Sequence, residues 1–154
     1  MPRDKRRERT RTLTLIAGAL LLVLSLAGPC VTIHAGCSWW ERALAPLFHA
    51  QLLHAFLNVW CLTAISFYYA PRGLDYVLAY LIAVACPCAH TTGLCGLSCV
   101  CFALLGMTIW RVRSKRVYVL ALVPALVIGL LLPHVAGWQH VYAFAAGVLI
   151  KVLV

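Results

Sequence analysis

One serine and one histidine carry the chemistry this chain can be expected to do. Ser98 stands in Gly93-Leu94-Cys95-Gly96-Leu97-Ser98-Cys99-Val100-Cys101-Phe102-Ala103-Leu104-Leu105-Gly106, a glycine-broken loop that turns into an apolar helix. A residue at such a junction presents its side chain to whatever lies in front of the helix start, the position an attacking hydroxyl needs. A serine is a poor nucleophile until a base takes its proton, and a neutral imidazole is the usual base near neutral pH. His140 supplies one near the start of the last apolar run. The four acidic residues, Asp4, Glu8, Glu41 and Asp75, fall in the tail or at the ends of apolar runs. A Ser98–His140 dyad is therefore expected, not a triad.

An oxyanion formed by Ser98 would need donors. The backbone N–H groups at the start of a helix beginning near Ser98 point the right way, and His54 and Asn58, four residues apart on one helix face, could add side-chain donors. At ~1.5 Å rise per helical residue, Asn58 lies about 21 Å from Arg72, Ser98 about 20 Å from Arg111 and His140 about 17 Å from Lys151. Three polar groups from three separate runs thus reach nearly one level. Ionisable or amide side chains within a span are functional candidates by default, and coincidence of depth makes these a set. Taken singly they have plainer uses: Ser98 as a helix cap or back-bonded serine, His54 and Asn58 as interhelical hydrogen-bond partners, His140 as an interfacial cap.

The elements that must position them follow from composition. Of 154 residues, 64% are hydrophobic, with mean hydropathy +0.93. A soluble globule of this size cannot hide that much apolar surface, so the chain reads as an all-α polytopic membrane protein. A span takes about 20 apolar residues, and the candidate runs are Leu13 to Val31, Leu47 to Tyr69, Leu74 to Ala89, Leu97 to Trp110, Val117 to Leu132 and Trp138 to Val154. The third and fourth are short. Residues 1–12 read as a basic cytoplasmic tail and 13–154 as one membrane domain. The first run follows a basic stretch and ends at Ala27-Gly28-Pro29, as a secretory signal does, but its length favours a retained anchor.

The net charge of +9 comes from thirteen Lys and Arg against four acids. Arg3, Lys5, Arg6, Arg7, Arg9 and Arg11 lie in the tail, and Arg72, Arg111, Arg113, Lys115, Arg116 and Lys151 fall between or after apolar runs. Six crossings place all of these on one side and Arg42 alone on the other, and the positive-inside tendency identifies the first side as cytoplasmic along with both termini. Such charges suit anionic headgroups rather than nucleic acid. Trp39, Trp40, Trp110, Tyr118 and Trp138 sit at the expected interfaces. The short basic loops suit a bacterial inner membrane. The His90-Thr91-Thr92-Gly93 loop is expected to line a cavity, since non-helical backbone at this depth needs protein or water around it.

Together these motifs resemble the rhomboid intramembrane serine proteases. The likeness covers Trp40 to Lys151 and rests on three motifs in order: His49-Ala50-Gln51-Leu52-Leu53-His54-Ala55-Phe56-Leu57-Asn58, Gly96-Leu97-Ser98-Cys99 with Ala103 to Gly106 after it, and His140-Val141-Tyr142-Ala143-Phe144-Ala145-Ala146-Gly147. The resemblance implies a six-transmembrane-helix bundle and Ser98 and His140 as nucleophile and base. It also implies an oxyanion site supported by His54, Asn58 and Gly96, His49 as a brace for the outer loop, and Phe102 stacked on the imidazole. Substrates would be transmembrane helices of membrane proteins, with no cofactor and no metal. Cys99 replaces the motif's second glycine, and Ala143 replaces a small glycine position, implying a slightly wider spacing of the fourth and sixth spans. The family's outer-loop Trp-Arg pair is matched only by Trp40-Glu41-Arg42, and its acidic motif after the second span has no match.

Two other classes remain open from sequence. A rhomboid-like protein that binds transmembrane helices without cutting them would account for Cys99. A metal or thiol carrier would use some of the eight cysteines, with Cys86-Pro87-Cys88-Ala89-His90 near Cys95, Cys99 and Cys101. Cysteine is also at home as a small apolar residue in packed helices. Cys30, Cys37, Cys86, Cys88 and Cys95 fall on the non-cytoplasmic side, where a disulfide between the first and third outer loops would persist in an oxidising compartment.

Overall fold

The computed structural model describes residues 3–27, 31–87, 95–132 and 135–154, and every regular element among them is helical. The order is α1 (Arg3–Ala27), α2 (Trp39–Leu44), a 3-10 turn (Ala45–Leu47), α3 (Leu52–Tyr69), α4 (Gly73–Val84), α5 (Ser98–Thr108), α6 (Lys115–Leu131) and α7 (Gly137–Leu153).

Each expected apolar run contains a helix, but the lengths differ from six uniform spans. By length and composition two helices can cross a membrane, α1 over Arg7–Leu26 and α3. The apolar helices α4 and α5 have 12 and 11 residues, about 18 and 16 Å at 1.5 Å per residue, against a hydrocarbon core ~30 Å thick. The basic stretch expected as a separate tail is the start of α1, because Arg, Lys and Glu are good helix formers and no glycine or proline interrupts them after Pro2.

Local chemistry sets the boundaries. In α1, Thr12, Thr14 and Ser25 donate their hydroxyls to the carbonyls four residues back, which lets polar residues sit in an apolar helix. The Glu41 carboxylate accepts from both the amide and the hydroxyl of Ser38, each at 2.7 Å, starting α2 and holding the Glu41 carboxyl below its usual range. α3 ends at Ala70 in the left-handed region, φ +44°, directly before Pro71, which has no N–H to continue the helix. Asp75 Oδ2 accepts from the Arg72 amide at 2.7 Å and starts α4.

α5 is the centre of the bundle, packed on α7, α4 and α3, while α1 lies along α3 and α6 along α7. Leu104 and Ala103 of α5 are fully buried, with Met107 and Cys101 nearly so. The α5–α7 contact is tight because it is made of small residues: a Cβ on Gly106 would lie 2.2 Å from the Phe144 carbonyl oxygen, and one on Gly147 2.1 Å from that of Ala103. Backbones approach this closely only where side chains are absent. Ala143, expected to widen the pair, is completely buried within it; the close approach is set a turn further along, at Gly147. α6 and α7 meet in the same way, a Cβ on Gly137 falling 2.5 Å from the Gly129 carbonyl oxygen.

Buried polar groups join the helices. Thr14 Oγ1 lies 3.1 Å from Ser66 Oγ, and Ser66 and Tyr76 hydroxyls lie 2.6 Å apart, linking α1, α3 and α4. Tyr118 of α6 reaches the Leu105 carbonyl at 2.8 Å. Asp75, 1% exposed, accepts from Arg111 Nη2 at 2.8 Å and Lys151 Nζ at 2.7 Å, tying α4 to the ends of α5 and α7.

Candidate active site

Gly96 makes the turn that presents Ser98. Its φ of +113° is one that residues with a side chain rarely adopt, and its amide donates to the Ala45 carbonyl at 3.1 Å. The space a Cβ would fill is also taken, by His54 Cε1 at 2.7 Å and Asn58 Nδ2 at 3.2 Å. The next amide, Leu97 N–H, donates to His49 Nε2 at 3.2 Å. An accepting Nε2 leaves the proton of a neutral imidazole on Nδ1, which faces Ser25 Oγ at 3.3 Å; Ser25 in turn donates to the Leu21 carbonyl. A chain of bonds therefore runs from α1 through His49, which precedes α3, to the residue before Ser98.

Ser98 is the first residue of α5. Its Oγ lies 2.9 Å from His140 Nε2, within the range of a nucleophile and its base. The Phe102 ring, one helical turn beyond Ser98, stacks on the His140 imidazole with centroids 4.5 Å apart and planes 19° apart. Gly129 of α6 backs the other edge of that imidazole, since a Cβ there would sit 3.5 Å from His140 Nδ1. Three helices therefore fix one imidazole: α7 carries it, α5 stacks on it and α6 closes behind it.

On the oxyanion side, the first amides of α5 have no acceptor within the helix and sit beside Ser98. Asn58 is 7% exposed, and its Nδ2 is buried without a hydrogen-bond partner. An unpaired buried donor is costly unless something accepts from it. It lies by Gly96, two residues from Ser98, where an oxyanion would accept. His54 shares that wall, its ring 5.2 Å from His49 in an edge-on arrangement.

A cavity opens in front of Ser98, between Ile33, Ala45 and Pro46 on one side and Cys86, Cys99 and Gln139 on the other. Its space for water centres is about 30 Å³, enough for about two molecules. The Cys99 thiol is hydrogen-bonded to Cys86 and to Ser98 in its wall, so the side chain at the position of the motif's missing glycine stands between the end of α4 and Ser98.

All seven residues singled out from sequence, Ser98, His140, His54, Asn58, His49, Gly96 and Phe102, thus meet in one neighbourhood. The loop cavity expected at 90–93 lies outside the described residues, as do Cys30, Cys88 and His90, so the carrier motif and the loop disulfide are described only in part; Cys37 and Cys86 are free thiols. Sequence reasoning missed Ser25, which orients His49, and Gln139, whose buried Oε1 has no partner and whose side chain lines the cavity. Gln139 precedes His140 in the chain, and its adjacency to the expected base was the available signal. No family model, no curated protein and no solved structure matches this chain.

Proposed function

We propose that the chain is an intramembrane serine endopeptidase of rhomboid type, cleaving transmembrane helices of membrane proteins through Ser98 and His140. The observation that carries this reading is the 2.9 Å contact from Ser98 Oγ to His140 Nε2, with Phe102 stacked on the same imidazole.

In this reading Ser98 Oγ attacks the scissile carbonyl carbon while His140 Nε2 takes the hydroxyl proton. The carbonyl oxygen becomes the oxyanion, accepting from the first amides of α5 and from Asn58 Nδ2. His140 then gives the proton to the leaving amine, the C–N bond breaks, and the acyl group stays on Ser98. A water in the cavity, deprotonated by His140, attacks the ester carbon; the bond to Ser98 Oγ breaks, His140 returns the proton to that oxygen, and the new carboxyl terminus leaves. With no carboxylate at Nδ1, the imidazole is oriented by the Phe102 stack and the Gly129 backing rather than by an acidic partner.

The membrane part of the proposal is a six-span bundle with both termini cytoplasmic, in a bacterial inner membrane. Its support is the long apolar α1 and α3, the apolar side chains left exposed on α1, α3 and α6, and the gathering of Arg7, Arg72, Arg111 and Lys151 at one end. Helices α4 and α5 are shorter than a span, and the proposal places them inside the bundle, where flanking loops complete the crossing.

The test is cleavage of a single-span membrane protein in proteoliposomes by wild type and by Ser98→Ala. A product that needs Ser98 supports the protease. The second reading, a helix-binding protein without catalysis, has Cys99 in its favour. No product from wild type, with Ser98 unlabelled by a fluorophosphonate and the protein folded, would overturn the first reading in favour of it.

A further inference from the structure

The end of the bundle remote from Ser98 holds a second cavity. From Ser98 the chain runs along α5 and reaches Arg111 in the following turn, about 20 Å away at helical rise. Around Arg111, the start of α1 and the α3–α4 joint enclose about 260 Å³, lined by Arg7, Arg72 and Arg111 together with Thr10 and Tyr69.

The charge there is not balanced. Asp75 accepts from Arg111, Lys151 and the Arg72 amide, so four cations share one carboxylate whose oxygens are already engaged. Among the described residues the only ion pairs are those two of Asp75. Glu8, next to Arg7, is exposed and makes no ion pair among the described residues. Arg7 and Arg72 therefore line the cavity with no ion pair of their own among the described residues. Guanidinium forks match phosphate oxygens, two N–H groups to one phosphate, and the N-terminus of the 12-residue α4 adds amide dipoles of the same sign.

The surroundings identify which phosphate. About two to four turns along α1 from Arg7 lies the exposed apolar side of the helix, with Leu13, Leu15, Ile16 and Leu20 each more than half exposed. A cavity for a phosphate beside an uncovered apolar helix fits a molecule that carries acyl chains on its phosphate. We propose that this cavity binds the headgroup phosphate of an anionic phospholipid, with Arg7, Arg72 and Arg111 as its ligands and the acyl chains along α1. The site depends on the chain lying in a membrane and is independent of proteolysis at Ser98.

The test uses the full chain in detergent, equilibrated with an equimolar mixture of phosphatidylglycerol and phosphatidylcholine, with bound lipid counted by native mass spectrometry. Wild type and Ser98→Ala are expected to retain phosphatidylglycerol preferentially. Arg7→Gln and Arg72→Gln are each expected to lower that preference about fivefold, the worth of one basic residue at an anionic surface, and Arg7→Lys, which keeps the charge but not the fork, to fall between wild type and Arg7→Gln. Arg113→Gln and Arg116→Gln, exposed residues outside the cavity, are expected to leave it unchanged, and inorganic phosphate at matched ionic strength to displace no lipid. Equal retention of the two lipids would overturn the proposal. So would an equal loss in Arg113→Gln, which would mean diffuse charge attraction, and so would displacement by inorganic phosphate, which would mean a free-anion site.

Discussion

The amide of Leu97 donates to His49 Nε2, a residue 48 positions earlier in the chain. That bond holds the turn from which Ser98 projects. His49→Phe removes the acceptor and leaves a buried N–H unpaired, a loss of about 1–3 kcal/mol. Cleavage rate and thermal stability are both expected to fall, with partial recovery in His49→Gln, whose amide oxygen can accept. Melting temperatures and initial rates of the two variants side by side check this.

Removing either reacting group is expected to abolish turnover without unfolding the chain. Ser98→Ala and His140→Ala each remove a member of a unit that works only whole, so each should cost ~10³-fold or more, and the double variant little beyond either single one. Cleavage assays on protein with unchanged helicity measure this; normal turnover by Ser98→Ala would sink the assignment.

In the proposed protease Phe102 orients and does not react. Its stacking on His140 is of the kind worth about 0.5–1.5 kcal/mol beyond burial, so Phe102→Leu is expected to lower kcat about two- to tenfold with KM little changed, while Phe102→Tyr keeps most of it. Equal kcat in wild type and Phe102→Leu would remove the stack from the mechanism.

Asp75→Asn is expected to be among the most destabilising single changes. It leaves Lys151, whose side chain is 14% exposed, and Arg111 without their carboxylate, and breaking one partner of a buried ion pair costs about 3–5 kcal/mol. A large drop in melting temperature with the helix content retained at low temperature is the signature.

How far the sequence told this depended on sequence distance and on what each residue type announces. The helical runs were legible because apolar stretches ended at glycine, proline and charge. Ser98, His140 and the His49–His54–Asn58 set were legible because polar residues are few in such runs. Asp75 was not: it looked like an interfacial acid, and its partners lie 36 and 76 residues away. Gln139 was passed over because a glutamine beside a tryptophan at a helix start looks like ordinary interface. The true extents of α4 and α5 were also hidden, since cysteine, alanine and proline near residue 86 continue an apolar run in composition while ending the helix in geometry.

Gly106 and Gly147 leave no room between α5 and α7 for either helix to slide or roll against the other. Ser98 rides on one of these helices and His140 on the other, so the two side chains travel as a single rigid piece. Their separation is then fixed before any visitor arrives, and whatever opens to admit one must do so elsewhere. The loosest wall is α6, which packs chiefly on α7, is tied to α5 through Tyr118, carries Pro124 within it and turns most of its side chains outward.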